Sequence, residues 1–397
     1  MRILVNAHPF FARGGGERHM LEIATTLAQR HEVTLLTVGK LDLEILGRFF
    51  GLPAQRLKVL SFREHPSALV RNLDRLVCRW PEGNVYKKMF TAIFGPEFVS
   101  GYDLFVNGES GDFIRNTAPK GLYLIFFPWL MASSKSPPGL IRRLYRMPYE
   151  FWRRRCYRDR WESYGAIYAV SQYSQHHVEA TLNRTCGILY PPIDDEFRPL
   201  PKANRILMLG RFMDQDEKGQ WFGAEQFKRL CQKIPGWELV CAGALWPDKR
   251  AKRFFRHLKR STQGWPIRLL PNLPFADLKT LVGQSKIFWH AMGHGQDLVR
   301  HPELAEHFGM PTVECMRAGC VPLAFDGGGQ PEIIDSGQSG YVWNKPEMLL
   351  DYTLQLARDP ERWNRMSKAA MIRGSTFSRG RFQRTIFSAI DELVASR

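Results

Sequence analysis

The sequence predicts an α/β protein with two doubly wound parallel sheets. Short, almost continuous apolar runs alternate with segments of helical periodicity along the 397 residues, and a proline-rich stretch at 190–199 divides this alternation into two series. Such runs are typical of strands in a sheet that is covered on both faces. Alternating strands and helices favour parallel strand order. A chain of this length is expected to form two or three domains.

The first series begins with an apolar run at Ile3–Ala7. Gly14, Gly15 and Gly16 then predict a loop, although three glycines also occur in plain flexible turns. Apolar residues recur at helical spacing from Glu17 to Arg30. Strand, glycine loop and helix are the unit of a doubly wound sheet. Further predicted strands are Val33–Val38, Leu104–Val106, Leu122–Phe127 and Ala166–Val170.

The second series begins at Arg205–Leu209, a predicted strand that is followed by a polar loop and a helix from about Gly219. The remaining predicted elements are strands at Glu238–Cys241, Ile267–Leu270, Ile287–Trp289 and Val321–Phe325, a helix at Phe308–Ala318, and helices over 346–397. We therefore expect one domain over 1–199 and a second over 200–375. Residues 376–397 are expected to form a helix that can pack back on the first domain.

The composition excludes several classes of protein. With 44% hydrophobic and 12% aromatic residues, the chain is neither disordered nor of low complexity. Seven cysteines without a CxxC pair predict reduced thiols, not a disulfide scaffold or a zinc module. The longest apolar run, 121–132, is shorter than the ~20 residues of a membrane-spanning helix, and the first residues are too polar for a signal peptide. We expect a cytoplasmic protein.

The net charge of +17 calls for an anionic partner or for solvation. It is spread over the chain, with 27 basic and 19 acidic side chains before residue 200 and 29 and 20 from there on. Two stretches are enriched: 140–160 has eight arginines interleaved with aromatic residues, and 248–260 has seven basic residues. We expect 140–161 to dock an anionic membrane or a phosphorylated acceptor, so the protein can be peripheral at the inner face of the membrane. The alternative is a solvated basic helix.

Two glutamates, Glu306 and Glu314, lie eight residues apart around a predicted helix start. Pro311 suits the first helical turn, where its missing N–H costs nothing. Glu306 then lies in the preceding loop and Glu314 about one turn inside the helix. The backbone N–H groups at the helix start would bind an anion; they belong to Phe308, Gly309 and Met310.

Five further blocks accompany this pair in order. They are the glycine loop Gly14–Glu17, the turn Ser171–Ser174, the strand Tyr190–Asp194, the pair Gly210-Arg211 with Lys218-Gly219, and the loop Asp326–Ile334. Together they resemble the retaining nucleotide-sugar glycosyltransferases of the family-four type, which carry an E-x7-E signature. The form Glu306-His307-Phe308-Gly309 is similar to the mannosyltransferase-like branch. The resemblance implies the GT-B fold, in which two Rossmann-like domains face a cleft.

The resemblance also implies roles for individual residues. Glu306 would face the transferred sugar and support an oxocarbenium-like transition state, and Glu314 would bind the ribose hydroxyls of the nucleotide. Arg211 and Lys218 would bind the donor diphosphate in place of a metal, so no metal and no cofactor is expected. The N–H groups of Phe308, Gly309 and Met310 would hold sugar or phosphate, and Gly14, Gly15 and Gly16 would approach the diphosphate and the acceptor. The implied partners are a nucleotide-sugar donor and a glycan or lipid-linked acceptor.

The chain departs from the family pattern at two places. The loop 213–217 before Lys218 is long and acidic. The family's histidine at the end of a first-domain strand is missing from 124–129, so His8 or Glu109 replaces it or the acceptor pocket is more apolar. His290, His294 and His301 resemble a metal triplet, but their spacing gives no consistent helix face.

Two alternative functions belong to other classes. A basic protein with interleaved aromatic residues could bind nucleic acid, although the sequence contains no recognisable nucleic-acid module. A sugar-nucleotide epimerase would keep the GT-B fold and change the reaction. The resemblance favours the glycosyltransferase, and with it no nucleic-acid partner.

Overall fold

The computed structural model describes residues 1–6, 15–79, 85–108, 114–128, 140–193, 196–213, 216–246 and 248–396. Its contacts divide the chain into two compact units. The first contains Met1–Tyr190 and Phe382–Arg397, and the second contains Pro191–Arg381. The division thus lies nine residues before the boundary that the sequence suggests, after residue 190 and not after residue 199.

Among its described residues, the first unit has one parallel sheet of seven strands in the order β3-β2-β1-β4-β5-β6-β7. Every neighbouring pair is parallel. The strands are β1 (Arg2–Asn6), β2 (Glu32–Thr37), β3 (Lys58–Ser61), β4 (Leu104–Asn107), β5 (Lys120–Ile125), β6 (Ala166–Ala169) and β7 (Gly187–Ile188). Their central side chains are buried, which explains the continuous apolar runs.

Helices cover this sheet. They are α1 (Gly15–Leu27), α2 (Leu43–Phe50), α3 (Ala68–Val77), α4 (Val85–Val99), α5 (Leu140–Glu162) and α6 (Gln172–Leu182). The last helix of the chain, α14 (Arg379–Ala395), belongs to the same unit from Phe382 onward. Its Phe382 ring lies 5.6 Å from the ring of His19 in α1, and Phe387 lies under the guanidinium of Arg30. These contacts attach the C-terminal helix to the first unit.

The second unit has a parallel sheet of six strands within its described residues, in the order β10-β9-β8-β11-β12-β13. The strands are β8 (Arg205–Leu209), β9 (Glu238–Gly243), β10 (Ile267–Pro271), β11 (Ile287–His290), β12 (Val321–Phe325) and β13 (Tyr341–Trp343). The helices are α7 (Gln220–Leu230), α8 (Lys249–Ser261), α9 (Phe275–Gln284), α10 (Met310–Arg317), α11 (Gln330–Ile333), α12 (Pro346–Arg358) and α13 (Pro360–Ser375).

The predicted fold class is confirmed: each unit is a parallel α/β sheet with crossover helices. Two helix starts differ from the prediction. Helix α1 already includes Gly15 and Gly16, because the first N–H groups of a helix need no internal partner and a glycine there disrupts little. Helix α10 begins at Met310 and not at Phe308, since Gly309 has a φ of 109° and caps it.

The strand order locates the place where each sheet can bind a ligand. Successive strands run outward in both directions from β1 and β4 in the first sheet, and from β8 and β11 in the second. Doubly wound sheets bind ligands at the carboxyl ends of strands at such a switch point. In the second unit, the loops after β8 and β11 are therefore the first place to search for a site.

Two remaining predictions concern the thiols and the membrane. The described cysteines are free, and Cys186, Cys241, Cys315 and Cys320 are buried. No helix in the part of the chain that the structure describes is long and apolar enough to span a bilayer.

Candidate active site

The loops at the switch point of the second sheet bring together four of the residues of interest. Arg211 and Lys218 follow β8, His290 is the last residue of β11, and Glu306 lies in the segment that leads into α10. Strand β8 pairs with β11, so their carboxyl ends lie side by side. This edge of the sheet carries both cations and one of the two carboxylates that the sequence singles out.

Lys218 and Glu306 form an ion pair at the centre of the site. The ammonium of Lys218 lies 2.7 Å from Oε2 of Glu306 and 3.0 Å from the sulfur of Met292. Both side chains are mostly buried, with 20% and 19% of their surface exposed. Burial alone would raise the pKa of Glu306, but the charge of Lys218 and the hydrogen bond from His290 outweigh it. The pKa of this carboxyl is therefore held well below its ordinary value.

His290 is a site residue to which the sequence assigns no such role. Its Nε2 lies 3.4 Å from Oε2 of Glu306, the same oxygen that Lys218 contacts, and only 6% of its side chain is exposed. Its Nδ1 is buried without a hydrogen-bond partner among the described residues. The sequence did contain a signal: a polar residue ends an otherwise apolar strand at the sheet edge where ligands bind.

A tight turn places Lys218 at the start of α7. Asp216 has a φ of 52°, and its carboxylate accepts hydrogen bonds from the N–H groups of Trp221 at 2.8 Å and Phe222 at 3.1 Å. Burial raises the pKa of Asp216 to about 6, against the effect of these hydrogen bonds. Gly219 follows with a φ of 71°, and a Cβ there would lie 2.6 Å from Ala291. The acidic loop thus contains the helix cap that fixes Lys218.

Arg211 lies against an aromatic ring at the same sheet edge. Its guanidinium carbon is 5.4 Å from the ring centre of Trp246, in a cation–π contact. The buried amide of Gln220 donates to the carbonyl oxygens of Gly210 at 2.9 Å and of Arg211 at 3.2 Å. Gly210 also packs against the stem of Lys218, where a Cβ would lie 2.7 Å away. The backbone of Arg211 is therefore held close to Lys218.

The loop that carries Glu306 is fixed by the buried amide of Gln330, the first residue of α11. Gln330 donates from Nε2 to the carbonyl of Phe308 at 3.0 Å and accepts from the hydroxyl of Thr312 at 2.8 Å. A Cβ at Gly309 would lie 2.1 Å from this Nε2. In addition, the N–H of Gly329 donates to the carbonyl of Glu306 at 2.8 Å. The glycine loop that the resemblance includes thus clamps the Glu306 segment.

Helix α10 begins directly after this clamp. The N–H groups of Gly309 and Met310 donate to no acceptor within the described part of the chain, and Phe308 is buried against Phe377 with its ring centre 5.4 Å away. Glu314 lies inside the helix, and 7% of the residue is exposed. The two glutamates therefore differ in setting, because Glu306 pairs with a cation in a loop and Glu314 lies on a buried helix face.

The predicted residues of the first unit are only partly described. His8, Gly14 and Glu109 lie outside the described residues, as does Asp194 of the second unit. Gly15 and Gly16 form the first turn of α1, and Gly16 faces the ring of Phe126 just after β5. The ring of His19 lies 5.8 Å from the same phenylalanine. His19 is fully buried, which lowers its pKa to about 3.

The histidines His290, His294 and His301, which resemble a metal triplet in sequence, do not share a site. His290 contacts Glu306, and His301 contacts Glu303 with its Nδ1 at 3.2 Å from the carboxylate. His294 packs on aromatic rings, with Phe222 at 4.3 Å. Across the ranges that the structure describes, no group of three or more His, Cys, Asp or Glu side chains could hold a metal.

The sequence of the second unit matches a known family. Residues 192–373 match the family model described as Glycosyl transferases group 1. The chain is also similar to the human GDP-Man:Man(3)GlcNAc(2)-PP-Dol alpha-1,2-mannosyltransferase, with 25% identity over 229 residues. That alignment covers 52% of this chain and 44% of the relative. The chain thus spans less than half the length of this curated relative.

Solved structures share the whole fold. HepE from Anabaena, in complex with UDP and glucose, is similar with a TM-score of 0.68 and 15% identity, over 99% of this chain and 100% of that one. Sucrose-phosphate synthase from Thermosynechococcus elongatus gives a TM-score of 0.72 at 13% identity, with 100% of both chains covered. Identities this low establish the fold alone. The chain therefore has the GT-B fold, and its residues 192–373 match the family model of Glycosyl transferases group 1.

Proposed function

We propose that the protein transfers a sugar from a nucleotide-sugar donor to a glycan or lipid-linked acceptor, with retention of configuration and without a metal. The observation that carries this proposal is the Lys218–Glu306 pair at the switch point of the second sheet, with Arg211 on the same edge. Two cations and a carboxylate at this edge match the two ends of such a donor: a diphosphate and a sugar rich in hydroxyl groups.

The cations would stabilise the leaving diphosphate. When the bond between C1 of the sugar and the phosphate oxygen breaks, the electron pair stays on that oxygen and negative charge develops there. Arg211 offers a planar fork of donors and Lys218 a compact ammonium. A diphosphate here would compete with Glu306 for Lys218, and the N–H groups of Gly309 and Met310 would add neutral donors at the start of α10.

Glu306 would act on the sugar. A carboxylate held ionised can accept hydrogen bonds from sugar hydroxyls and stabilise positive charge at C1 in the transition state. Retention follows if the acceptor hydroxyl attacks from the face that the diphosphate leaves, with its proton passing to the leaving phosphate oxygen. Glu314 would bind the ribose hydroxyls, as acidic residues do in dinucleotide-binding folds.

The relatives support the substrate classes. The name of the human relative describes a GDP-mannose-dependent enzyme that acts on a dolichol-linked glycan, and HepE was solved with UDP and glucose. A nucleotide-sugar donor is common to both. Two relatives with different nucleotides do not select one, so the proposal extends to the donor class and not to its base.

A panel of UDP-, GDP- and ADP-sugars tests the proposal. Thermal shift should identify at least one donor that raises the melting temperature, since ligand binding stabilises the folded state by mass action. EDTA should leave both the shift and the turnover unchanged. Proton NMR of the product should show the anomeric configuration of the donor. No donor binding, an inverted product, or release of an epimerised nucleotide sugar would contradict the proposal.

A further inference from the structure

Helix α5 has two very different faces. Its inner face is part of the core of the first unit: Tyr149 and Trp161 are buried, and the ring of Trp161 lies 4.6 Å from that of Tyr123 in β5. The guanidinium of Arg160 donates to the carbonyl of Ala92 in α4 at 2.9 Å. The helix is therefore attached to the unit through one side.

The outer face of the same helix exposes large apolar side chains. Leu144, Met147 and Phe151 are 56%, 62% and 72% exposed, and their spacing of three and four residues places them on one stripe. Tyr145 beside them is also exposed. Single exposed apolar residues are ordinary, but a cluster of them on one helix marks an interaction surface. We call Leu144, Met147 and Phe151 the apolar stripe.

The charge of α5 points to the partner. The sequence of the helix contains eight arginines against Glu150, Asp159 and Glu162. A helix that combines a cationic composition with exposed Leu, Met and Phe is typical of segments that lie in the interface of an anionic membrane. In such segments, the apolar side chains enter the boundary of the acyl chains and the cationic side chains remain at the lipid head groups.

A second copy of the chain fits this surface poorly. A symmetric dimer through the stripe would place the arginine-rich helices of both copies against each other. The stripe also spans only two helical turns, about 10 Å, whereas a stable interface buries about 800 Å² on each partner. An anionic bilayer supplies the opposite charge and needs no large complementary area.

We propose that the apolar stripe of α5 inserts into the surface of an anionic membrane and anchors the protein there. The proposal is independent of the donor chemistry, because vesicle binding is measured without any nucleotide. It also differs from attraction by net charge alone, since it assigns the binding to three uncharged side chains.

Helix α8 provides a matched control. It contains seven basic residues, and Lys252, Arg253 and Arg256 are exposed on it. Its apolar side chains face inward, with Leu258 buried and Phe254 and Phe255 only half-exposed. This helix is therefore at least as cationic as α5 but has no exposed apolar stripe, so its variant separates binding by charge from binding by apolar insertion.

Co-sedimentation with vesicles of phosphatidylglycerol and phosphatidylcholine tests the proposal on the full chain. The wild type should sediment with these vesicles and not with phosphatidylcholine alone. The variant with Leu144→Ser, Met147→Ser and Phe151→Ser should lose about tenfold or more in partition coefficient. The variant with Lys252→Ser, Arg253→Ser and Arg256→Ser should stay within about twofold of wild type. Unchanged melting of both variants, followed by circular dichroism, confirms that they fold.

Several results would overturn the proposal. One is a wild type that ignores anionic vesicles, and another is an α5 variant that binds as well as wild type. A loss in the α8 variant with none in the α5 variant, which keeps every charge, would assign binding to diffuse charge. Light scattering after gel filtration tests whether two copies of the chain associate through the apolar stripe. A wild-type dimer that the α5 variant dissociates would show that the stripe is a protein interface and not a membrane anchor.

Discussion

The ammonium of Lys218 lies 2.7 Å from Oε2 of Glu306, and Nε2 of His290 lies 3.4 Å from the same oxygen. One carboxylate oxygen thus joins residues from three separate segments: the turn before α7, the end of β11 and the loop before α10. Each segment is fixed by its own contacts, so a single substitution can test one partner while the other two stay in place.

Lys218→Met should weaken donor binding without removing the stem of the side chain. A hydrogen bond to a charged group contributes about 1.5–3 kcal/mol, so the dissociation constant of the donor should rise by about tenfold to a hundredfold. Isothermal titration with the nucleotide diphosphate measures this. Arg268→Met is the matched control, because Arg268 is a half-exposed cation 3.5 Å from Glu238 near the other edge of the sheet. Equal affinity in wild type and Lys218→Met would contradict the assignment.

Removing the ring nitrogens of His290 should reduce turnover more than donor affinity. His290→Phe keeps a buried ring but removes the contact to Glu306, so the carboxylate loses one of the two groups that orient it. We expect kcat to fall by about tenfold, the worth of one net hydrogen bond, and the KM for the donor to change little. His301→Phe is the control from the loop that leads to Glu306, since His301 contacts Glu303 instead. A loss confined to KM would show that His290 acts in binding.

The Lys218–Glu306 pair should make stability depend on acid pH. The folded pKa of Glu306 is lowered from 4.5, against burial, by Lys218 and His290. The pair therefore contributes fully to the free energy of unfolding above pH 4.5, the ordinary pKa of a glutamate. This contribution is lost as the pH falls through the folded pKa. In Lys218→Met, both effects of Lys218 are lost and burial, the largest single effect, remains, so we expect the pKa to rise above 4.5, the sign to reverse and stability to fall as pH rises. Urea unfolding at several pH values, each compared with Glu306→Gln in the same background, should give opposite slopes. Parallel slopes would contradict this account.

Gly309→Ala should lower both stability and turnover. A left-handed residue with a Cβ costs about 1–2 kcal/mol, and this Cβ would also displace the Gln330 amide that fixes the Glu306 loop. Gly264→Ala separates the two effects, because Gly264 has a φ of 79° with nothing within 4 Å of its Cβ position. Thermal melting should show the larger loss for Gly309→Ala, and only that variant should lose turnover. Equal melting temperatures would mean that Gln330 moves without cost.

The sequence predicts those parts of the fold that follow from local pattern. Strands such as Val321–Phe325 are buried on both faces and have no polar residue to obscure them. The position of Pro311 in the first turn of α10 also follows from proline chemistry. The boundary between the units is different, because α14 joins the first unit through contacts of Phe382 and Phe387 that no local pattern contains.

The sequence predicts which residues form the candidate site, but not which of them contact each other. Arg211, Lys218 and Glu306 stand out through motif order, but the contact between Lys218 and Glu306 joins residues 88 positions apart. The role of Asp216 is hidden for the same reason: in sequence it is one of several acidic loop residues, and only the fold shows that it caps α7. The location of His290 at the switch point can be recognised only when the strand order is known.

The most direct test of the central claim is the turnover of Glu306→Gln with the donor that the thermal-shift panel identifies. Glu238→Gln is its control, because Glu238 also pairs with a cation, Arg205 at 2.6 Å, but at the amino end of β9. Losing a carboxylate that supports the transition state should lower kcat by about a hundredfold or more, with donor binding retained. The Glu238→Gln variant should turn over as wild type does. Near-wild-type turnover in Glu306→Gln would contradict the account.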